Sequence, residues 1–380
     1  MSETLLPAPT AGSVDLLIVA GEHSGDEHAA RVVRQLLAKN PNLKVCALGG
    51  PRLAAAGAQL LADLTASSSM GLAVLGKLSF YRRLIAEVVR WVGAYRPRAV
   101  CFVDSSGLNL RIARGLFEQG FAKKAGGPTK TLYYISPQIW ASRAGRRFGM
   151  ARHLDGLAAI FPFEAACYAD TGLPVRFVGH PFVAVDYHAP VAFDPAGPVL
   201  LLPGSRKQVV ARIFPVLLEA YRQSGTKRPA VVLYPGEEIL AVLQAANPPA
   251  GVSLVRTGAG GPVGAAAVLT ASGTMSMHCA LAGIPGALTY RTDALTYLLG
   301  RLLVKVEYIG IANLLLREPM YPEFIQGAAT PATLAGQLRE CLDVPARREK
   351  TQQQAARLQE LLHEPAHGTA ADWLAGELEN

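Results

Sequence analysis

Short apolar runs alternate with longer segments of helical periodicity along most of the chain. The first series of apolar runs comprises "DLLIVA", "KVCALGG", "RAVCFVD", "KTLYYIS", "GLAAIF" and "VRFVGH", and the second comprises "VLLLPG", "AVVLYPG", "AAAVLTA" and "GALTYR". Runs this short are typical of buried strands, and their alternation with helices favours a parallel sheet covered on both faces. The pattern predicts an α/β protein with two doubly wound Rossmann-like domains that face each other across a cleft.

The two series are separated by residues 180–198, which contain several prolines and few helical cues, so this stretch is predicted to connect two domains. The residues from about 330 to the end have a helical pattern. The predicted organisation is an N-terminal domain over residues 1–185, a C-terminal domain over residues 186–335, and helices over residues 336–380 that pack across the domains.

Composition narrows the class of protein. Half of the 380 residues are hydrophobic and 17% are charged, as expected of a globular protein with a large core. The five cysteines are scattered and form no CxxC pair, which argues against a disulfide framework or structural zinc and favours a reducing cytoplasm. Residues 1–13 lack the features of a secretory signal. Residues 257–290 contain no Lys, Arg, Asp or Glu, but glycine and proline interrupt them, which favours buried elements over a membrane span.

The net charge of +8 favours an anionic partner, which could be a phosphorylated small molecule, an acidic lipid surface or nucleic acid. Nucleic acid is the least favoured because no nucleic-acid motif is present. Residues 76–92 combine an apolar face with basic residues. Such a helix packs on a domain or lies on an acidic bilayer, and the sequence leaves both interpretations open.

Three segments share the order strand, Gly/Ser loop, helix: "IVAGEHSGDEHAA", "LLPGSRKQVVA" and "VLTASGTMSMHCA". Ligands of open α/β sheets bind at the carboxyl ends of strands, where helix N-termini offer free N–H groups. In the second segment Gly204 lets the backbone approach a ligand closely, and Ser205 can cap the following helix. Arg206 offers a planar, two-pronged hydrogen-bond donor for phosphate oxygens. Neither a Walker loop nor a GxGxxG fingerprint occurs. Together with the third segment, this pattern predicts a diphosphate site.

The first segment is a candidate metal site, and Asp104 is a candidate catalytic residue. We place His23 in the loop before the helix, where its imidazole need not converge with that of His28, so the pattern argues against a metal site. Asp104 ends an apolar run. Its carboxylate could accept a proton from a substrate hydroxyl or cap the helix after Ser106, and spacing does not decide between these roles.

The motifs together resemble the lipid-A-disaccharide synthase family over residues 16–334. The carriers of the resemblance are "AGEHSGD", "GGPRLAAAG", "SSSMGLAVLGKL", "YYISPQIWASRAGR", "IFPFEAACYADTGLPVRFVGHP", "LLPGSRKQV", "ASGTMSMHCALAGIP", "YRTDALTYLLGRLLVKVEYIGIANLL" and "PEFIQGAATPATLA". The resemblance implies an inverting glycosyltransferase of the GT-B fold. It would transfer diacylglucosamine from UDP-2,3-diacylglucosamine to 2,3-diacylglucosamine 1-phosphate, forming the lipid A disaccharide 1-phosphate and UDP. It also implies a cytoplasmic enzyme that is peripheral on the anionic inner membrane and uses no cofactor.

The resemblance assigns roles to individual residues. Asp104 falls on the first acid of the family's "DAPDFN" and is the expected catalytic base. Arg206 and the helix after Ser205 would hold the diphosphate and stabilise the leaving UDP, so a divalent metal is not needed. The expected donor-side residues are Ser205, Arg206, Ser272, Gly273, Thr274, His278, Asn313, Glu323 and Gln326, and the expected acceptor-side residues are Glu22, Ser24, Gly25 and Asp26.

The chain also departs from the family pattern. Gly107 replaces the second acid of "DAPDFN", Val209 replaces a glutamate after the "PGSR" arginine, His278 replaces the glutamate of "TLEAALAG", and His23 stands where a small residue is common. Two alternatives therefore stay open: another UDP-sugar enzyme of the same fold, such as a 2-epimerase or a transferase to a different acceptor, and a catalytically silent nucleotide-sugar binding protein. A redox Rossmann enzyme is disfavoured because the GxGxxG fingerprint is missing. The sequence also leaves acyl-chain length and homodimerisation open.

Overall fold

The computed structural model describes residues 6–65, 74–184, 186–258, 260–292, 307–363 and 368–379. The chain forms two compact units. Unit 1 comprises Met1–Pro181 and Glu364–Asn380, and unit 2 comprises Phe182–His363. Unit 2 thus contains most of the C-terminal helical region, and the chain returns to unit 1 for its last helix.

Unit 1 contains one sheet of seven parallel strands in the order β3-β2-β1-β4-β5-β6-β7. The strands are β1 (Leu16–Ala20), β2 (Val45–Gly49), β3 (Gln59–Asp63), β4 (Ala99–Val103), β5 (Lys130–Tyr134), β6 (Gly156–Ala159) and β7 (Val175–Phe177). The helices are α1 (His23–Lys39), α2 (Pro51–Ala55), α3 (Val74–Tyr95), α4 (Ser106–Glu118), α5 (Arg146–His153) and, at the end of the chain, α12 (Ala370–Glu379).

Unit 2 has a second parallel sheet, in the order β11-β10-β9-β13-β14-β15, and a two-stranded parallel ribbon of β8 and β12. Its strands are β8 (Val191–Phe193), β9 (Val199–Leu202), β10 (Ala230–Tyr234), β11 (Val252–Arg256), β12 (Val263–Ala265), β13 (Ala267–Ala271), β14 (Gly286–Tyr290) and β15 (Glu323–Ile325). Its helices are α6 (Lys207–Ser224), α7 (Glu237–Ala245), α8 (Thr274–Leu281), α9 (Ile311–Leu316), α10 (Pro331–Asp343) and α11 (Pro345–His363).

The predicted α/β class is confirmed, and every apolar run of the two series contains a strand. The central strands β1, β4 and β9 are buried along their whole length, which explains their continuous apolar sequence. The pattern did not predict the edge strands β3, β11 and β15. Their side chains are only partly buried, so their sequences are mixed.

The strand order reverses once in each sheet. In unit 1 the chain moves outward from β1 to β3 and then resumes on the other side of β1 with β4. In unit 2 the same reversal occurs between β9 and β13. A crevice opens at the carboxyl ends of two such neighbouring strands, and ligands of doubly wound sheets bind there. The loops after β1 and β4, and those after β9 and β13, are therefore the natural places for a site.

Residues 76–92, which were predicted either to pack on a domain or to lie on a bilayer, belong to helix α3. Leu84, Val88 and Trp91 are buried in the core of unit 1, whereas Arg82 and Arg83 are exposed. The apolar face of the described part of the helix therefore packs on its own domain. The side chains of residues 74–78 and the motif residues 67–73 lie outside the described residues, as do residues 293–306 of the later motif. Among the described helices, none is both long and apolar enough to cross a membrane.

Candidate active site

Only Gly21 and Glu22 separate β1 from helix α1, which corrects the predicted position of His23. The helix starts at His23 and Glu22 occupies its N-cap, so the predicted loop is largely the first helical turn. The Asp26 N–H donates to the Glu22 carbonyl oxygen at 2.9 Å, which closes the first helical turn, and Gly25 in this turn is buried against the strand ends. A Cβ at Gly25 would lie 3.5 Å from both the Ala20 Cβ and the Val103 carbonyl oxygen. Glu22, His23 and Ser24 are exposed at the edge where β1 and β4 end.

Asp26 points away from this exposed edge. Its side chain is 1% exposed, and its carboxylate accepts hydrogen bonds from the backbone N–H groups of Gly50, Arg52 and Leu53 at 2.8, 3.1 and 3.2 Å. The carboxylate thereby satisfies free donors at the N-terminus of α2. Asp26 thus fixes the loop after β2 to α1 and shapes this edge from beneath.

Asp104 lies directly after β4 in a left-handed conformation, with φ of 50°, and Ser105 follows with φ of 43°. Helix α4 begins at Ser106 and its N-cap is Ser105, so the alternative role of Asp104 as helix cap is wrong. The Asp104 carboxylate accepts hydrogen bonds from the Ser105 N–H and the Ser24 hydroxyl. Burial, and next the nearby Glu22 carboxylate, raise the pKa of Asp104 above its ordinary value.

The structure thus brings Asp104, Glu22 and Ser24 together at the switch between β1 and β4. A carboxylate with a raised pKa beside an open edge suits proton transfer. Arg146 at the start of α5 adds a positive charge to the same edge, since its Nη1 lies 3.4 Å from the Ser106 hydroxyl oxygen.

Two buried polar residues of unit 1 were not predicted. Asn109 is fully buried, and its amide reaches the Asp104 carbonyl oxygen at 2.8 Å. It stands on the apolar stripe of α4 with Leu108, Ile112 and Leu116, and this polar interruption was the available sequence signal.

Glu164 is the second buried residue that sequence reasoning missed. Its Oε2 accepts from the backbone N–H groups of Ile160 and Phe161 at 3.1 Å each, and its Oε1 lies 3.4 Å from Trp140 Nε1. Burial raises the pKa of Glu164 to about 7. The Trp140 ring packs edge-on against Phe163, 5.5 Å between centroids, so the carboxyl lies beneath an aromatic cluster.

In unit 2 the loop after β9 has the predicted geometry with one correction. Gly204 is left-handed, with φ of +108°, and leads into exposed Ser205 and Arg206. The N-cap of α6 is Arg206 rather than Ser205, and no side chain caps this helix end. The left-handed turn at Gly204 displaces the helix start by one residue. Within the described residues no hydrogen bond or ion pair engages the Arg206 guanidinium, so it stands exposed at a helix N-terminus.

The loop after β13 lies beside the loop after β9 because the two strands pair in parallel, with Leu202 opposite Thr270. Gly273 and Thr274 are exposed at the start of α8, and the Ser276 hydroxyl donates to the Gly273 carbonyl at 2.6 Å. The Ser272 hydroxyl donates to the Ile309 carbonyl at 3.1 Å. The backbone of this loop and the Thr274 side chain are therefore accessible to a ligand. Ser272 instead holds the segment that contains Ile309.

Asn313 and Glu323 form one network. The Glu323 carboxylate accepts from the N–H groups of Ile309 and Gly310 at 2.9 and 2.8 Å, and from Asn313 Nδ2 at 2.8 Å. Gln326 pairs its amide with the backbone of Thr292 at 2.9 and 3.0 Å. All three predicted donor-side residues thus hold loops of unit 2 in place.

His278 lies inside unit 2, with 5% of its surface exposed. Its ring packs against Phe182 at a centroid distance of 4.0 Å, and its Nε2 lies 3.1 Å from the Tyr187 hydroxyl oxygen. The imidazole therefore attaches the segment at the start of unit 2 to helix α8. The described residues contain no group of three His, Cys, Asp or Glu side chains placed to hold a metal ion.

Comparison with known proteins fits this arrangement. The family model described as "Lipid-A-disaccharide synthetase" matches residues 16–375. The lipid-A-disaccharide synthase of Geobacter metallireducens is 34% identical over 93% of this chain and 94% of its own length, and that of Syntrophus aciditrophicus is 35% identical over 95% and 96%. This chain belongs to the lipid-A-disaccharide synthase family. Lipid-A-disaccharide synthases are glycosyltransferases of lipid A biosynthesis, so the predicted family and enzyme class are confirmed.

Solved structures support the fold. The UDP-GlcNAc 2-epimerase from Neisseria meningitidis, bound to UDP-GlcNAc, aligns with a TM-score of 0.62 at 11% identity, over 97% of this chain and all of its own. The calicheamicin glycosyltransferase CalG4 aligns with a TM-score of 0.58 at 14% identity, over 97% and 99%. At such identities the likeness concerns the fold alone, and the GT-B prediction is confirmed.

Proposed function

We propose that this member of the family transfers diacylglucosamine from UDP-2,3-diacylglucosamine to the 6-hydroxyl of 2,3-diacylglucosamine 1-phosphate, releasing UDP. Unit 1 binds the acceptor and unit 2 binds the donor. The observation that carries the proposal is the Asp104 carboxylate, which lies beside Glu22 and Ser24 at the topological switch of a sheet in a family of glycosyltransferases.

In this proposal Asp104 is the catalytic base. Deprotonation of the acceptor hydroxyl by the carboxylate makes the oxygen a better nucleophile, and inversion follows from attack opposite the leaving UDP. The raised pKa of Asp104 favours the role because a carboxylate that binds protons more tightly is a stronger base. Ser24 orients the carboxylate, and Glu22, Gly25 and Asp26 shape the acceptor side of this edge.

Unit 2 stabilises the leaving group. The Arg206 guanidinium and the uncapped N–H groups of α6 would neutralise charge that develops on the diphosphate. The backbone of Ser272–Thr274 adds a second set of donors at the start of α8. Asn313, Glu323 and Gln326 frame the uridine and sugar by holding the surrounding loops, and His278 supports α8.

Because both substrates carry acyl chains, we further propose that the enzyme works in the cytoplasm at the anionic surface of the inner membrane. The net charge of +8 and the exposed arginines of α3 support electrostatic attraction. Sedimentation with vesicles tests this. Binding to acidic vesicles should weaken as salt rises, and equal binding to neutral vesicles at low salt would contradict it.

The reaction is tested by measuring UDP release from UDP-2,3-diacylglucosamine with and without the acceptor. Release that requires the acceptor supports the transferase, whereas release without it points to a hydrolytic enzyme. Conversion of the donor into its 2-epimer without net release of UDP points to a 2-epimerase. Binding without release points to a binding protein. Single-turnover transfer then tests the base: Asp104→Asn should be slower by about a hundredfold or more while still binding UDP, and His23→Ala should change the rate far less. A slower His23→Ala enzyme would move the base to His23.

A further inference from the structure

The end of β4 holds two consecutive non-glycine residues in the left-handed region, Asp104 with φ of 50° and Ser105 with φ of 43°. A non-glycine residue in this region is less stable than in ordinary backbone conformations, and it persists only where the surroundings enforce it. The Ser105 hydroxyl is buried without a hydrogen-bond partner in the described part of the chain, so it does not hold the turn. Something else must maintain this conformation.

Two buried side chains hold the Asp104 carbonyl. The hydroxyl of Tyr133 and the Nδ2 of Asn109 both donate to this oxygen, the latter at 2.8 Å. The Asn109 amide also lies 3.1 Å from the Val103 carbonyl oxygen and 3.4 Å from that of Val19. Both side chains are fully buried, so neither contact exchanges readily with water.

These contacts fix a particular part of the backbone. The carbonyl of Asp104 belongs to the peptide plane that joins it to Ser105, and two donors on one oxygen restrict the rotation of that plane. The N–H of the same plane donates to the Asp104 carboxylate. Holding the carbonyl therefore also sets where the carboxylate lies relative to Ser24 and Glu22.

We infer that Tyr133 and Asn109 are positioning residues that hold the catalytic carboxylate of Asp104 in its reactive orientation through its own backbone carbonyl. This inference rests on the proposed function, in which Asp104 is the base. It assigns a role to two residues that reach no substrate, and it explains why polar groups interrupt the apolar core beneath the site.

The test begins with Tyr133→Phe, which keeps the ring packed near Phe102 and removes only the hydroxyl. We expect kcat to fall about tenfold while KM for the donor and the Kd for UDP stay unchanged, because the nucleotide binds to unit 2. Asn109→Ala should give a similar fall if it folds, which circular dichroism checks. Tyr168→Phe is the matched control. Its buried hydroxyl lies 2.7 Å from the Ser136 hydroxyl oxygen in the same unit, and kcat should stay near wild type.

The pH profile separates positioning from a merely structural role. The burial and the Glu22 charge that raise the pKa of Asp104 depend on where the carboxylate lies. A released carboxylate should have a lower pKa, so the acidic limb of kcat/KM should move to lower pH in Tyr133→Phe. Partial unfolding would reduce the amount of active enzyme at every pH without moving the limb.

The kinetics of these variants separate the positioning role of Tyr133 and Asn109 from the proposed role of Asp104 as the base. If Asp104→Asn is inactive while Tyr133→Phe and a folded Asn109→Ala keep wild-type kcat and an unmoved limb, the positioning role is overturned and the base assignment stands. If Asp104→Asn keeps full turnover, both are overturned.

Discussion

The imidazole of His278 lies parallel to the phenol ring of Tyr187, with an interplanar angle of 3° and centroids 5.6 Å apart, and its Nε2 is 3.1 Å from the tyrosine hydroxyl oxygen. This pair explains how the fold accommodates a histidine at a position where the family resemblance led us to expect a glutamate. A carboxylate in the same aromatic surroundings would be buried without the stacking contact. His278 therefore contributes ring packing to the interior of unit 2.

His278→Phe should retain the ring contacts and lose the hydrogen bond to Tyr187. We expect unit 2 to lose about 1 kcal/mol of stability while UDP affinity stays unchanged. Calorimetry identifies the relevant unfolding transition as the one that UDP shifts upward. Tyr187→Phe should have the same effect, and the double variant should add nothing further. A tenfold loss of UDP affinity without a loss of stability would instead place the imidazole on the donor.

Arg206→Ala should weaken UDP binding by roughly tenfold to a hundredfold, because a charge-assisted contact to the diphosphate is worth about 1.5 to 3 kcal/mol. Arg206→Lys should restore part of the affinity, since a lysine supplies the charge without the planar fork. The control is Arg222→Ala on the last turn of the same helix, where the exposed guanidinium pairs with Glu219. Titration calorimetry measures all three, and unchanged affinity for Arg206→Ala contradicts the assignment.

Asp26→Asn should destabilise unit 1 by about 2 kcal/mol, because an amide provides one acceptor oxygen where the carboxylate receives three backbone N–H groups. Tryptophan fluorescence reports this unit selectively, since Trp91, Trp140 and Trp373 all belong to it. Urea titration measures the change. Glu27→Gln is the matched control: its ion pair with Arg52 is exposed, so the midpoint should hardly move. Equal midpoints for the two variants would show that the buried contacts are not stabilising.

Glu164 should make the stability of unit 1 depend on pH. Its pKa is about 7 in the folded protein against an ordinary value of 4.5, so the folded state binds the proton more tightly. Stability is therefore lost as pH rises from about 4.5 to about 7, and the loss is complete above that range. The full effect is about 3 kcal/mol. Urea titrations at pH 5 and pH 8 should show this loss in the wild type and a much smaller one in Glu164→Gln. An equal change in the free energy of unfolding between pH 5 and pH 8 in the two proteins would show that Glu164 does not titrate in this range.

The sequence by itself determined the alternation of buried strands and helices, and with it the sheet edges at which we propose that the substrates bind. Apolar runs such as β1, β4 and β9 are local signals, since a strand buried on both faces needs a continuous apolar sequence. The residues that follow these strands, Asp104 and Arg206 among them, accordingly lie at the carboxyl edges of the two sheets. Partly buried edge strands such as β3 left no such signal.

Only the tertiary structure decided what each polar side chain does. Asp26 was expected on the acceptor side but bonds to the loop after β2, and Glu164 and Asn109 bond to backbone groups that the sequence pattern does not mark. Ser272, Asn313 and Glu323 likewise hold one another's loops across long sequence separations. The physical reason is that a buried polar group must find a partner, and which partner lies nearby depends on the packing of elements distant in sequence. A pattern of residue types locates the edge of the sheet, whereas hydrogen-bond geometry in three dimensions separates the groups that face a substrate from those that hold the edge together.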